Sequence, residues 1–195
     1  MTTLTFVRHG ETDWNRQGRF QGTQDIPLNE EGRRQARRLA KAWDINCDVL
    51  VSSPLGRARE TAETLAASLG VSVTTFDVRL VERDYGAGAG LTLDQRRERF
   101  PDGQIPGVES PQSIQERVVS FLDSVSLEHP GRSVVAISHG GFINAVLALV
   151  SAGRVGTGKT ILGNASVSVV VLGADGWAVE TVGRTFEVEP LGLRE

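Results

Sequence analysis

Phe6-Val7-Arg8-His9-Gly10-Glu11-Thr12 closes the first apolar run of the chain. Leu4 to Val7 reads as a buried strand, and the chain leaves it through Arg8 and His9 into a turn at Gly10. A cation and an imidazole are thus presented at a strand's carboxyl end, where ligands bind in open α/β sheets. Val134-Val135-Ala136-Ile137-Ser138-His139-Gly140-Gly141 repeats the pattern far along the chain. Two strands that both end in His-Gly bring two imidazoles to one crevice.

Outward from the first strand, Thr12 to Leu28 reads as a long polar loop, and Asn29 caps a helix that runs to about Trp43. The arginines of that helix, Arg33, Arg34, Arg37 and Arg38, read as its solvated face. Val49 to Ser52 is a short strand. Ser53 and Pro54 then read as N-cap and first turn of a helix ending at Gly70, and Val71 to Phe76 as the next strand. Asp77 to Pro111, broken by glycines and prolines, has room for one short helix from Leu93 to Phe100 and reads as a lid or specificity segment. Ser113, with Glu116 at capping-box spacing, opens the next helix. A strand from Ser133 to Ser138, a helix from Phe142 to Val150 and a hairpin of Val167 to Leu172 with Trp177 to Val182 follow. Alternating strands and helices predict an α/β fold: a three-layer α/β/α sandwich whose mostly parallel sheet has an antiparallel C-terminal edge. No repeat or linker divides the chain, so 1–195 is expected to form a single domain.

With 39% hydrophobic and 23% charged residues, the composition is that of a globular protein with one substantial core. A net charge of -3 excludes the global basic field that drives nucleic-acid binding, so an anionic ligand needs a local cluster of cations. Cys47 is the only cysteine, which excludes an internal disulfide and fits a reducing compartment. The N-terminus has no leader-like pattern and no apolar run approaches ~18 residues. The expectation is a cytoplasmic protein that contacts neither membrane nor nucleic acid. Its assembly is open, a homodimer included.

Arg57, in the first turn after the strand ending at Ser52, falls on the same side of the sheet as Arg8, His9 and His139. Two guanidiniums and two imidazoles around one crevice form a site for a tetrahedral anion, because forked Arg donors match phosphate oxygens. Glu82 is the candidate proton donor for a leaving oxygen.

Taken together, Arg8-His9-Gly10-Glu11-Thr12-Asp13-Trp14-Asn15, Ser52-Ser53-Pro54-Leu55-Gly56-Arg57-Ala58, Glu82 and Ser138-His139-Gly140-Gly141 resemble the histidine phosphatase superfamily, the phosphoglycerate mutase-like group. The resemblance runs from residue 4 to about residue 172. It implies that His9 is the nucleophile and that Arg8, Arg57 and His139 clamp the phosphoryl group. Glu82 would act as acid and then base, and Asn15, Gln21, Gly22 and Gly140 would contact substrate. It further implies a small phosphorylated metabolite as substrate and neither metal nor other cofactor, since the cations are built in. Hydrolysis is the expected activity. The alternatives are a phosphoglycerate mutase-type transfer and a catalytically silent module that binds a phosphorylated ligand.

The chain departs from the family pattern after Glu82. Gly88-Ala89 stands where many family phosphatases have Trp-Glu, and Leu93 where the mutases place a substrate-binding lysine. Arg96 and Arg97 read as the exposed face of a short helix. Gly153-Arg154-Val155-Gly156-Thr157-Gly158-Lys159-Thr160 matches the P-loop pattern, but it follows a helix and precedes a strand. That is the reverse of the required context, so it reads as a glycine-rich surface loop. His129 reads as part of a helix-ending turn, and Cys47 as packing.

Overall fold

The computed structural model describes residues 1–186, so 187–195 of the expected domain lie outside the described residues. Six strands form one sheet in the order β3-β2-β4-β1-β5-β6. These are β1 (Thr2–Arg8), β2 (Val49–Ser52), β3 (Thr75–Phe76), β4 (Ser133–Ser138), β5 (Val167–Gly173) and β6 (Gly176–Arg184). The first four run parallel, and β5 and β6 add the antiparallel edge.

Alternation along the central strands builds the three layers. Leu4 and Phe6 of β1 face one side with Val134 and Ala136 of β4. They pack on α5 (Pro111–Glu128) and α6 (Gly140–Val150) through Val118, Phe121, Phe142 and Val146. Val7, Val135 and Ile137 face the other side. There they meet α2 (Glu30–Lys41) and α3 (Gly56–Leu69) through Leu39, Ala58, Ala62 and Leu65. Each such fully buried aliphatic or aromatic side chain stabilises the fold by roughly 1.5–3 kcal/mol. No helix among the described residues is long and apolar enough to cross a membrane.

Several local expectations are corrected. The strand expected over Val71 to Phe76 is only Thr75–Phe76, since just Val51 and Ser52 of β2 pair with it and both its residues are exposed at the sheet edge. Within the polar loop, Thr12 caps a short helix, α1 (Asp13–Arg16). The Ser53-Pro54 cap does not form: α3 begins at Gly56, with Leu55 as N-cap and no side-chain capping bond. The N-cap of α5 is Ser110 with Pro111 in the first turn, and Ser113 donates its N–H to Ser110 Oγ at 3.0 Å. The next helix starts at Gly140, two residues before the expected Phe142.

Elsewhere the elements follow the pattern. Asn29 caps α2, and that helix's arginines pair with Glu30, Glu31 and Glu60 at the surface. The short helix α4 spans Leu93–Arg99. Its Arg97 is exposed, but Arg96 lies over the Phe20 ring at 4.1 Å and is not on the solvated face.

Candidate active site

Register brings the first pair of residues together. Arg8 of β1 stands opposite Ser138 of β4, and the His9 N–H donates to the Ser138 carbonyl at 3.0 Å. Ser52 of β2 pairs with Ile137 on the other side of β4. The three strand ends deliver His9, Ser53 and His139 to one place, and the two imidazole centroids are 5.0 Å apart.

Gly10 makes the turn after His9 possible. A Cβ there would lie 2.4 Å from the Gly32 carbonyl oxygen, so the start of α2 packs directly on the turn. Thr61 of α3 accepts the Gly10 N–H at 3.2 Å and ties the second face to the same turn.

His9 is 2% exposed, and its Nδ1 is 2.7 Å from the Gly10 carbonyl, which can only accept. Nδ1 therefore carries the proton and Nε2 the lone pair, which accepts from Arg57 Nε at 3.2 Å. Burial, then the Arg57 and Arg8 charges, hold this imidazole well below the usual histidine range. It is neutral, as a nucleophile must be.

Arg57 is the largest fully buried side chain among the described residues. Its two other nitrogens donate to the Gln24 and Gly22 carbonyls at 2.7 and 2.8 Å, so the polar loop fixes the guanidinium under His9. Burial lowers its pKa to about 10, which leaves it charged at neutral pH.

His139, fully buried, is the N-cap of α6 but makes no capping bond. Its Nε2 is instead 2.8 Å from Ser53 Oγ, which also accepts the Leu55 N–H at 3.3 Å. The Ser53 hydroxyl can donate or accept here, according to which ring nitrogen of His139 carries the proton. The His139 Nδ1 is buried without a partner, and so is Nε of Arg8, whose Nη1 is held by the Leu162 carbonyl. Two buried polar atoms of the cluster thus have no partner. Buried polar atoms without partners are rare in folded proteins, and two of them in one cluster with the Arg57 guanidinium suit an anion cradle.

Glu82 is nearly buried and follows β3 by way of a 3-10 turn, Val78–Leu80. Its carboxylate accepts N–H bonds from Arg83 at 2.8 Å, Gly141 at 3.1 Å and Phe142 at 3.2 Å. Two of these are first-turn donors of α6, whose positive end suits a carboxylate. A Cβ on Gly141 would lie 2.3 Å from Glu82 Oε1, so any larger residue would displace the carboxylate from this position.

A cavity of about 770 Å³ opens over the cluster, with Arg8, His9, Asn15, Gln21, Glu82 and Gly140 in its wall. Gln21 Oε1 is another buried atom with no partner. Gly22 is the exception among the expected contacts: it is not in the wall, and its carbonyl serves Arg57. The P-loop-like stretch falls between α6 and β5 as expected for a surface loop, and Gly153, Thr157 and Thr160 border the far end of the cavity. Lys159 points away to the Gly153 carbonyl at 2.5 Å. His129 ends α5, and burial raises the Cys47 thiol, as befits packing residues.

The histidine phosphatase superfamily (branch 1) family model matches residues 4–185. The chain belongs to this superfamily. Among histidine phosphatase relatives, the uncharacterized phosphatase PhoE of Bacillus subtilis is 38% identical over 92% of this chain and 93% of its own. A probable phosphoglycerate mutase GpmB of Cronobacter sakazakii is 33% identical over 100% and 99%. The solved mycobacterial glucosyl-3-phosphoglycerate phosphatase in complex with VO3 superposes with a TM-score of 0.82 at 30% identity, covering 94% of this chain and 99% of that one.

Three residues of the site escaped the sequence reading. Ser53 looked like a helix cap but orients His139. Asn164 donates to the His9 carbonyl and to Asn15 Oδ1, both at 3.1 Å. Gly141 entered only as part of the Ser138-His139-Gly140-Gly141 motif, with no role of its own. Only the Gly140-Gly141 doubling carried a hint that a backbone had to approach something closely.

Proposed function

We propose that the protein is a phosphomonoester hydrolase that passes the phosphoryl group of a small phosphorylated metabolite to His9 Nε2 and then to water, without a metal. The observation that carries this reading is a neutral His9 whose Nε2 lone pair meets the Arg57 guanidinium, in a cluster that holds two buried polar atoms without partners, Arg8 Nε and His139 Nδ1. A phosphoryl group entering there finds cations from Arg8 and Arg57 and takes over the donor now spent on Nε2. Such neutralisation of the equatorial oxygens is most of what phosphoryl transfer requires.

In the first step Nε2 attacks phosphorus, the P–O bond to the alcohol breaks, and the leaving oxygen takes a proton from Glu82. Glu82 stands in the structure as an acceptor of three N–H bonds, and the monoanionic ester supplies the proton it relays. In the second step Glu82 removes a proton from water as its oxygen attacks phosphorus and the N–P bond breaks. Asn15 and Gln21 contact the ester from the cavity wall. A cytoplasmic location goes with this reading, since the single Cys47 fits a reducing compartment.

The relative named as a probable mutase supports the second reading, transfer within a phosphorylated acid. Release of inorganic phosphate from a panel of phosphorylated metabolites, with 3-phosphoglycerate isomerisation followed by NMR, separates the two. Phosphate release without isomerisation is expected. Isomerisation without net release would establish the mutase, and binding of phosphate with no ester turned over would establish a silent module.

A further inference from the structure

Glu109 and Arg117 lie outside the cavity wall, yet both flanks of Glu82 end on them. Arg117 Nη1 donates to the Arg79 carbonyl at 2.6 Å and the Val81 carbonyl at 2.7 Å, just before Glu82. Its other nitrogens grip both Glu109 carboxylate oxygens at 2.8–3.1 Å. Just after Glu82, the Asp84 N–H donates to Glu109 Oε2 at 3.2 Å, the Glu109 N–H donates to the Asp84 carbonyl at 2.8 Å, and Arg83 donates to the Glu109 carbonyl. The guanidinium also lies 5.1 Å from the Phe142 ring centre, and the Phe142 N–H is one of the three that hold the Glu82 carboxylate.

Glu82 belongs to no strand or helix, so no ladder sets its position. The two side chains are only 17% and 12% exposed. A pair so far removed from water adds little net stability compared with apolar residues of similar volume. What it does supply is direction: one planar fork reaching two carbonyls and a carboxylate, which an ammonium cannot reproduce.

We propose that Glu109 and Arg117 form a clamp that positions Glu82 for proton transfer to the leaving group. The proposal rests on the hydrolytic reading, in which Glu82 serves that oxygen. A clamp of this kind affects the step in which the leaving group is protonated and not the anion cradle. Misplacement of a reacting group by about 1 Å costs on the order of 100-fold.

The test is a double-mutant cycle of Arg117→Met and Glu82→Gln, with kcat and KM measured on an aliphatic phosphate ester and on 4-nitrophenyl phosphate, whose phenolate needs little protonation. Arg117→Met is expected to lower kcat for the aliphatic ester roughly 10- to 100-fold and for the aryl ester by less than about threefold, with KM unchanged. It should add nothing to the loss in a Glu82→Gln background. Equal losses on both esters, or losses that multiply in the double variant, would overturn the clamp. Should Arg117→Met fail to fold, Arg117→Lys keeps the charge without the fork and is read in the same way. If Glu82→Gln itself does not discriminate between the esters, the role of Glu82 falls and the clamp with it. If it does discriminate and Arg117 shows no coupling to it, the clamp alone falls.

Discussion

The two halves of the site are built by different means. The anion cradle grows from the ends of three central strands: His9 is fixed by β1 and the Gly10 carbonyl, His139 by β4 and the Ser53 hydroxyl, and Arg57 by the first turn of α3 and two loop carbonyls. The half proposed to face the leaving group hangs from residues 81–109, which lie outside the sheet, and holds Glu82 through backbone N–H donors and buried side chains. Where the sheet sets positions, strand register and short contacts with Ser53 and Thr61 are enough. Where no ladder is available, a glycine, a helix terminus and an ion pair take its place. On the proposed mechanism the first half is insensitive to which ester is bound, and the second is where esters are told apart.

Perturbing each half should therefore give distinct signatures. His9→Ala removes the nucleophile from the cradle and is expected to lower turnover of aliphatic and aryl esters alike by at least ~10⁴-fold in steady-state assays. Strong discrimination between them would contradict the division. Gly141→Ala pushes a methyl group against Glu82 Oε1 and should cost roughly 10- to 100-fold on aliphatic esters and much less on 4-nitrophenyl phosphate. A uniform loss would mean that the α6 terminus serves the cradle instead.

The pH dependence of stability isolates the cradle. Both site imidazoles are held well below the 6.5 of an exposed histidine, chiefly by burial and then by Arg57. Below 6.5 the unfolded chain binds protons that the folded chain refuses. Each imidazole's contribution is complete above 6.5 and is lost as pH falls toward the depressed folded value, by about 1.4 kcal/mol per unit for each histidine. Urea midpoints that stay flat from neutral pH to below 6 would show that the imidazoles are not buried in neutral form. The smallest effect belongs to Lys159→Ala, expected within about twofold of wild type for every ester, because that amine caps its own loop. A large loss would make the P-loop-like stretch part of the site.

This division also governs what could be seen in the sequence. Arg8, His9, Arg57 and His139 were legible because a buried strand followed by His-Gly, or by a first helical turn, fixes where the next side chain lies. The layers followed from alternation and helical spacing. Caps and edges were less legible, because they depend on distant partners. Ser53 has the composition of an N-cap, yet its hydroxyl is taken by His139, far away in sequence. Val71 to Phe76 has strand propensity but only two β2 residues to pair with. Glu109 lies in a stretch broken by Pro106 and Gly107, and nothing local indicates that it receives both Arg117 and the backbone after Glu82. Arg96 stands at an exposed helical position and is drawn inward by the Phe20 and Tyr85 rings.

The most direct test of the account is rapid acid-free quenching of the protein during turnover of a phosphate ester, followed by ³¹P NMR and mapping of the phosphorylated atom. The account predicts a phosphoenzyme at His9 carrying phosphorus on Nε2, because Nδ1 is committed to the Gly10 carbonyl. Phosphorus on any other residue, on Nδ1, or ester turnover undiminished in His9→Ala would contradict it.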